Sequence, residues 1–259
     1  MLANRIVWSL VLVIAALAWR GRWQWLETLR SPKVLLAFVA SALLLSANWL
    51  TYIYAATNGH IVDASLGYFI TPLVNVALGL AVLGERLRRL QWAALALAAA
   101  GVLWLTLTAE RPPWVGLTIG LTFGAYGLLR KVATLGALEG LALETVILAP
   151  AALVAMAYWW GASPASFPAP SWATNAWLLG LGPATTVPLL LFAVAARRLP
   201  MSTLGLFQYL SPTMQLLLGI WLFHEPFTLA RGIGFGLIWA ALVGYSVDSW
   251  VQGRRIDPV

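Results

Sequence analysis

At 259 residues, with 61% hydrophobic and only 10% charged side chains and a mean hydropathy of +0.83, the chain is too apolar for a soluble domain of its size. A net charge of +7 raises the question of nucleic acid, but no basic run lies on a segment polar enough to form a soluble fold, so nucleic acid is not an expected partner. The absence of cysteine excludes disulfide frameworks, thiolate metal sites and cysteine nucleophiles.

A helix rising 1.5 Å per residue needs about 20 residues to cross a hydrocarbon core of roughly 30 Å. Apolar runs of that length predict nine spans, at 2–19, 34–56, 65–84, 90–108, 113–130, 139–160, 174–196, 201–223 and 229–250. The opening stretch "MLANRIVWSLVLVIAALAWRG" has the outline of a signal peptide, with Ala16-Leu17-Ala18 at its end. Arg20 and Arg22 follow at once, and they read better as the cytoplasmic anchor of a retained span. Tryptophans cluster near the predicted ends, among them Trp19, Trp23, Trp92, Trp114, Trp172 and Trp250, where an amphipathic indole sits at headgroup level. Thirteen of the sixteen Lys and Arg residues fall in every second connection or in the tail, which makes those connections and the carboxyl terminus cytoplasmic and the amino terminus external. The expected location is thus a cytoplasmic (inner) membrane, crossed many times.

Sliding the chain by 140 residues lays Leu66 on Leu206, Pro72 on Pro212, Leu78 on Leu218, Gly79 on Gly219 and Glu85 on Glu225. The loop after Glu85 is basic, whereas the loop after Glu225 has only Arg231 nearby, so the two halves, 1–110 and 111–259, are expected to be inverted. The helix at 113–130 finds its repeat partner only ahead of residue 1. Four helices then face five, and the first helix of a ten-helix arrangement is expected to be missing. Inverted repeats characterise secondary transporters whose substrate site lies near the midplane; duplication within a structural membrane protein or channel is the alternative.

The stretches "NWLTYIYAATNGH", "ASLGYFITPLVNVALG", "LGERLRRLQW", "YGLLRKVATLGALEGLALETV", "FAVAARRLPMSTLGLFQYLSPTMQ" and "GFGLIWAALVGYS" carry a resemblance that covers nearly the whole chain. The sequence resembles the RarD proteins of the EamA branch of the drug/metabolite transporter superfamily. That resemblance implies an all-α polytopic membrane fold of two inverted five-helix units, with this chain lacking the first helix. It also implies a permease of the kind labelled for chloramphenicol sensitivity or resistance.

On the predicted third helix Tyr68, Thr71 and Asn75 fall at i, i+3 and i+7, on one face, and their repeat partners are Gln208, Ser211 and Gln215. Each stripe carries a proline, Pro72 or Pro212, that frees a backbone carbonyl. Unpartnered polar groups facing lipid cost several kcal/mol each on transfer scales, so these stripes are expected to bind substrate in a wet pathway, helix-to-helix hydrogen bonding being the alternative. Asn48 and Tyr52, four apart beside Trp49 and Thr51, form a second candidate surface that Tyr126 joins. Gly79 and Gly219 are read as points of close helix contact.

The ionisable candidates are Arg5 and Glu144, expected to pair and to serve coupling, because a carboxylate at the centre of a span costs about 2.5–3.5 kcal/mol on insertion scales without a partner, water or a proton. A snorkelling, interfacial Glu144 is the alternative. Glu85 and Glu225 are read as helix caps or structural ion-pair partners. His60 and His224 lack a metal-binding spacing, no Gly-rich phosphate loop is present, and no set of nucleophile and base is spaced for catalysis. No cofactor is expected. The sequence therefore reads as a secondary transporter of small organic metabolites or drugs working by alternating access in the lipid bilayer. A homodimer is left open, and a non-transporting helical subunit or an intramembrane enzyme stands as the alternative.

Overall fold

The computed structural model describes residues 2–21, 23–58, 61–108, 114–158, 167–169, 171–221 and 228–256, and these are helical apart from short connections. In chain order the helices are α1 (Leu2–Arg20), α2 (Pro32–Thr57), α3 (Ile61–Leu83), α4 (Arg89–Leu107), α5 (Trp114–Val132), α6 (Ala137–Tyr158), α7 (Trp172–Arg198), α8 (Met201–Gln208), α9 (Leu210–Trp221) and α10 (Leu229–Ile256). A short 3-10 segment at Gln24–Arg30 leads into α2.

Local chemistry sets several of these boundaries. Proline at the first position of α2 suits a turn whose N–H has no helical acceptor, and the Ser31 carbonyl takes the first bonds, from Val34 and Leu35 at 3.1 Å. Behind α1 and α3 stand Gly21 (φ 61°) and Gly84 (φ 65°), in the left-handed conformation that ends helices and that other residues adopt only with strain.

Among the described residues seven helices, α1, α2, α3, α4, α6, α7 and α10, are long and apolar enough to cross a membrane. Of the nine expected spans, two fall outside that set. The first corresponds to α5, where Gly116, Gly120, Gly124 and Gly127 dilute the apolar run and Arg130-Lys131 closes it. The second is the segment expected as one helix over 201–223, which the structure divides at Tyr209 into α8 and α9. Pro212 explains the break: its missing N–H leaves the Gln208 carbonyl without a helical donor, and its ring crowds that carbonyl. The Tyr209 N–H instead closes a tighter bond to Leu206 O at 3.1 Å. Pro72, by contrast, lies inside a continuous α3.

The chain forms two compact units, Met1–Leu50 with Leu129–Arg198, and Thr51–Leu128 with Leu199–Val259. In the first, α1 packs along α6 and α7. A β-carbon at Gly182 would lie 2.9 Å from the Trp8 backbone, so glycine permits the α1–α7 approach. In the second, α3 lies against α8, and α4 against α10. The buried face of α4 repeats at helical spacing through Ala94, Ala98, Gly101, Val102 and Leu105, meeting Phe235, Ile238, Ala241 and Tyr245. Gly101 sits so near α10 that a β-carbon there would be 2.8 Å from the Gly234 carbonyl. Lipid is as apolar as leucine, so close packing through small residues is what favours such pairs. Outward faces carry exposed Leu36, Leu43, Leu107 and Leu191, and Trp19, Trp172 and Trp221 are exposed at helix ends.

Candidate functional site

The first unit holds a buried charged cluster. Glu144, two turns into α6, is fully buried; its Oε1 accepts a short hydrogen bond from Ser41 Oγ and lies 3.7 Å from Arg130 Nη1. Arg130 comes from the last turn of α5, and its Nη2 donates to the carbonyls of Ala137 (2.9 Å) and Gly136 (3.4 Å), where α6 begins. The guanidinium carbon stands 5.6 Å from the Phe38 ring centre. Gly140 makes the slot, since a β-carbon there would fall 1.9 Å from Arg130 Nη1. One helical hairpin thus folds its terminal arginine back onto its own carboxylate.

Arg5, expected to pair with Glu144, donates from Nε to Thr185 Oγ1 at 2.8 Å and sits 5.1 Å over the Trp49 ring. Its helix, α1, packs on α6, which carries Glu144. Asn48, next to Trp49, is buried in the same unit.

The second unit holds an uncharged cluster. Asn75, fully buried on α3, donates from Nδ2 to Gln208 Oε1 at 2.5 Å, which joins one member of each predicted stripe. The other Asn75 atom, Oδ1, has no hydrogen-bond partner among the described residues, and neither has the hydroxyl of buried Tyr209 at the α8–α9 break. Gly205 brings α8 against this point of α3, because a β-carbon there would lie 2.6 Å from the Pro72 carbonyl. Thr71 is buried and donates to Gly67 O of its own helix at 2.8 Å. Tyr68 meets Tyr52 edge-on, with ring centres 6.3 Å apart. Tyr126 is buried beside Phe123, at 5.7 Å. Ser211 is exposed on α9, and the side chain of Gln215 lies outside the described residues. The predicted residues therefore sort into an ionic group in one unit (Arg5, Asn48, Glu144) and an amide and aromatic group in the other.

Sequence reasoning missed two features and left the partner of a third unnamed. Arg130 was counted only as an orientation marker, although its position one helical hairpin from Glu144 pointed to a partner. Asp248, buried on α10, pairs with Arg88 at 3.2 Å and escaped notice near a predicted helix end. Glu85, expected as a cap or ion-pair partner, caps a helix distant in sequence. Its carboxylate accepts the N–H groups of Met201 (2.6 Å) and Ser202 (3.0 Å) and the Ser202 hydroxyl (2.8 Å) at the start of α8, where Pro200 offers no side-chain cap. Gly79 makes this fit, a β-carbon there lying 3.0 Å from Met201 Cβ. Glu225, His60 and His224 lie outside the described residues, as do the surroundings of Gly219 on α9. Among the described residues no group of His, Asp and Glu is placed to hold a metal ion.

Residues 1–107 and 113–247 match the EamA-like transporter family. A protein named RarD from Streptomyces exfoliatus is 46% identical over 258 residues, which cover 98% of this chain and 81% of that protein. The chain belongs to the RarD branch of the EamA-like transporter family. An uncharacterized transporter of Pseudomonas aeruginosa is 45% identical to this EamA-like chain over 98% of its length and 86% of the relative's. A solved structure, described only as that of a protein, has the same fold with a TM-score of 0.68 at 20% identity, covering 95% of this chain and 86% of its own. With its apolar helices, EamA-family membership makes this a multi-pass membrane transporter.

Proposed function

We propose that this chain is a secondary permease that carries small organic metabolites or drugs across the cytoplasmic membrane by alternating access between inverted halves, with its carboxyl terminus in the cytoplasm. The observation that supports it most is the Asn75–Gln208 contact: a fully buried amide on α3 bonded to the last residue of a helix broken within the apolar segment. Discontinuous helices and polar side chains at membrane depth are what transporters use to hold a solute, since elsewhere in hydrocarbon they are only a cost. Pro72 and Pro212, at equivalent places in the repeat, favour the same reading. Glu144 is the coupling candidate, because it is the buried carboxylate of the ionic cluster and takes up a proton more readily than arginine gives one up.

The test is counterflow. Purified protein in liposomes loaded with unlabelled solute should accumulate the labelled form, with chloramphenicol among the solutes tried, and Asn75→Leu should lower the initial rate. Absence of counterflow for every solute, from correctly inserted protein, would overturn the reading in favour of a non-transporting subunit.

A further inference from the structure

Asn75 is fully buried on α3, and only half of its amide is used. Nδ2 donates to Gln208 Oε1 at 2.5 Å, whereas Oδ1 has no hydrogen-bond partner among the described residues. A buried acceptor without a donor has lost its hydration and gained nothing in return, so an amide here carries a standing cost to stability. Oδ1 faces α5 where that helix has no side chain: a β-carbon on Gly124 would lie 3.5 Å from it. On another side α8 approaches through Gly205, whose β-carbon would lie 3.3 Å from Asn75 Cβ.

Gln208 brings a second acceptor. It is the last residue of α8, and Pro212 has no N–H to offer its backbone carbonyl. A helix C-terminus also carries partial negative charge, which favours an electropositive group and disfavours an anion. Full charges are absent from this depth. No Asp, Glu, Lys or Arg falls within 64–83, 90–107, 114–128, 201–221 or 232–247, the apolar lengths of α3, α4, α5, α8, α9 and α10. Asp248, beyond the last of these, is paired with Arg88 at 3.2 Å, and Glu85 caps α8. A charged solute at Asn75 would find no counter-charge on these helices, which is the costly case within a membrane.

We propose that Asn75 Oδ1 is the acceptor for the carried solute, and that this solute is an uncharged molecule presenting an N–H or O–H donor, an amide or an alcohol. This rests on the permease reading and deepens it, because the solute reaches Oδ1 as α3 and α5 part during alternating access. Gly124 puts no side chain in its way. A solute that only accepts hydrogen bonds gains nothing from Oδ1, and an anion meets two acceptors of its own sign.

The test uses four probes with one phenyl body: N-methylphenylacetamide (neutral, with an N–H donor), methyl phenylacetate (the same shape without a donor), phenylacetate (anion) and phenethylammonium (cation). Ligand-observed NMR at neutral pH measures their dissociation constants for the intact protein in nanodiscs, against empty nanodiscs. The amide should bind about fivefold more tightly than the ester, as one net neutral hydrogen bond gives, and both ions more weakly than the amide. Asn75→Leu should erase the advantage of the amide over the ester. Asn75→Asp, which keeps an acceptor and adds a negative charge, should shift the preference to phenethylammonium; if Asn75→Leu does not fold, this variant and the parent series decide. Equal binding of amide and ester by the parent overturns the inference, Oδ1 then being met by a trapped water or by nothing. So does an amide preference that survives in either variant, tighter binding of an ion by the parent, or binding of none of the probes. Counterflow is read separately: transport of any solute leaves the permease reading standing in each of those cases, and its absence for every solute overturns both.

Discussion

Arg130 Nη1 lies 3.7 Å from Glu144 Oε1, with 1% and 0% of the two side chains exposed, in a slot that exists because residue 140 is glycine. Removing one member leaves the other as a buried charge without its partner, which is far costlier than removing both. Arg130→Gln and Glu144→Gln should each lower stability by about 3–5 kcal/mol, and the double substitution should cost clearly less than the sum. Thermal unfolding in detergent measures this; strict additivity would mean that the two charges are not coupled. Gly140→Ala offers an independent check, because its methyl group would occupy the place of Nη1 and should reproduce the loss seen for Arg130→Gln. Arg5→Gln, crossed with Glu144→Gln in the same way, asks whether the expected second partner contributes.

Glu85 ties the end of α3 to the start of α8 through three hydrogen bonds. Helix starts leave N–H groups without acceptors and favour negative charge, so Glu85→Ala should cost about 1–2 kcal/mol, the range of a lost cap. Ser202→Ala removes one of the three bonds and should cost less. Paired in one chain, the two changes should cost little more than Glu85→Ala alone. An unchanged melting temperature for Glu85→Ala would show that the cap contributes nothing to stability.

Asn75→Leu and Gln208→Leu separate pathway from packing. Interhelical hydrogen bonds contribute around 0.6 kcal/mol on average and rarely more than about 2, so a purely structural pair predicts a modest loss of stability with transport preserved. A lining pair predicts the reverse order, with uptake falling while the protein inserts and melts nearly as the parent does. Gln215→Leu belongs in the same series, and Leu78→Ala serves as a packing change outside the stripe. Full uptake by all three leucine variants, for every solute the parent carries, would remove these helices from the pathway.

The α4–α10 contact predicts a steric effect. Gly101→Leu should drive side-chain atoms into the Gly234 carbonyl and Ile238, destabilising the second unit by about 1–3 kcal/mol as overpacking does. Gly236→Ala, whose β-carbon meets nothing within 4 Å, should be nearly neutral. Equal melting temperatures for the two variants would refute the close approach.

Orientation has its own readout. A reporter that fluoresces only in the cytoplasm, fused after Val259, should be bright if the basic connections face inward. A dark but well-expressed fusion would reverse the assignment.

Composition alone determined the solvent of this protein: with so few charges over so many apolar runs, only a bilayer satisfies the side chains. Hydropathy located the helices, because burial of backbone polar groups in lipid leaves the chain almost no other secondary structure. The stripe of Tyr68, Thr71 and Asn75 and the buried carboxylate Glu144 were legible too, since a polar residue in an apolar run stands out by its cost. Partners were not. Asn75 meets Gln208, and Glu144 meets Ser41 and Arg130, through contacts between residues up to 133 positions apart that no local spacing encodes. The break at Tyr209 was missed for a related reason: proline permits both a continuous helix, as at Pro72, and an interrupted one, as at Pro212, and hydropathy does not distinguish them. Tertiary packing decided which carbonyls, carboxylates and amides found one another, because a hydrogen bond depends on a distance of a few tenths of an ångström between helices, and a sequence specifies that only through everything packed around them.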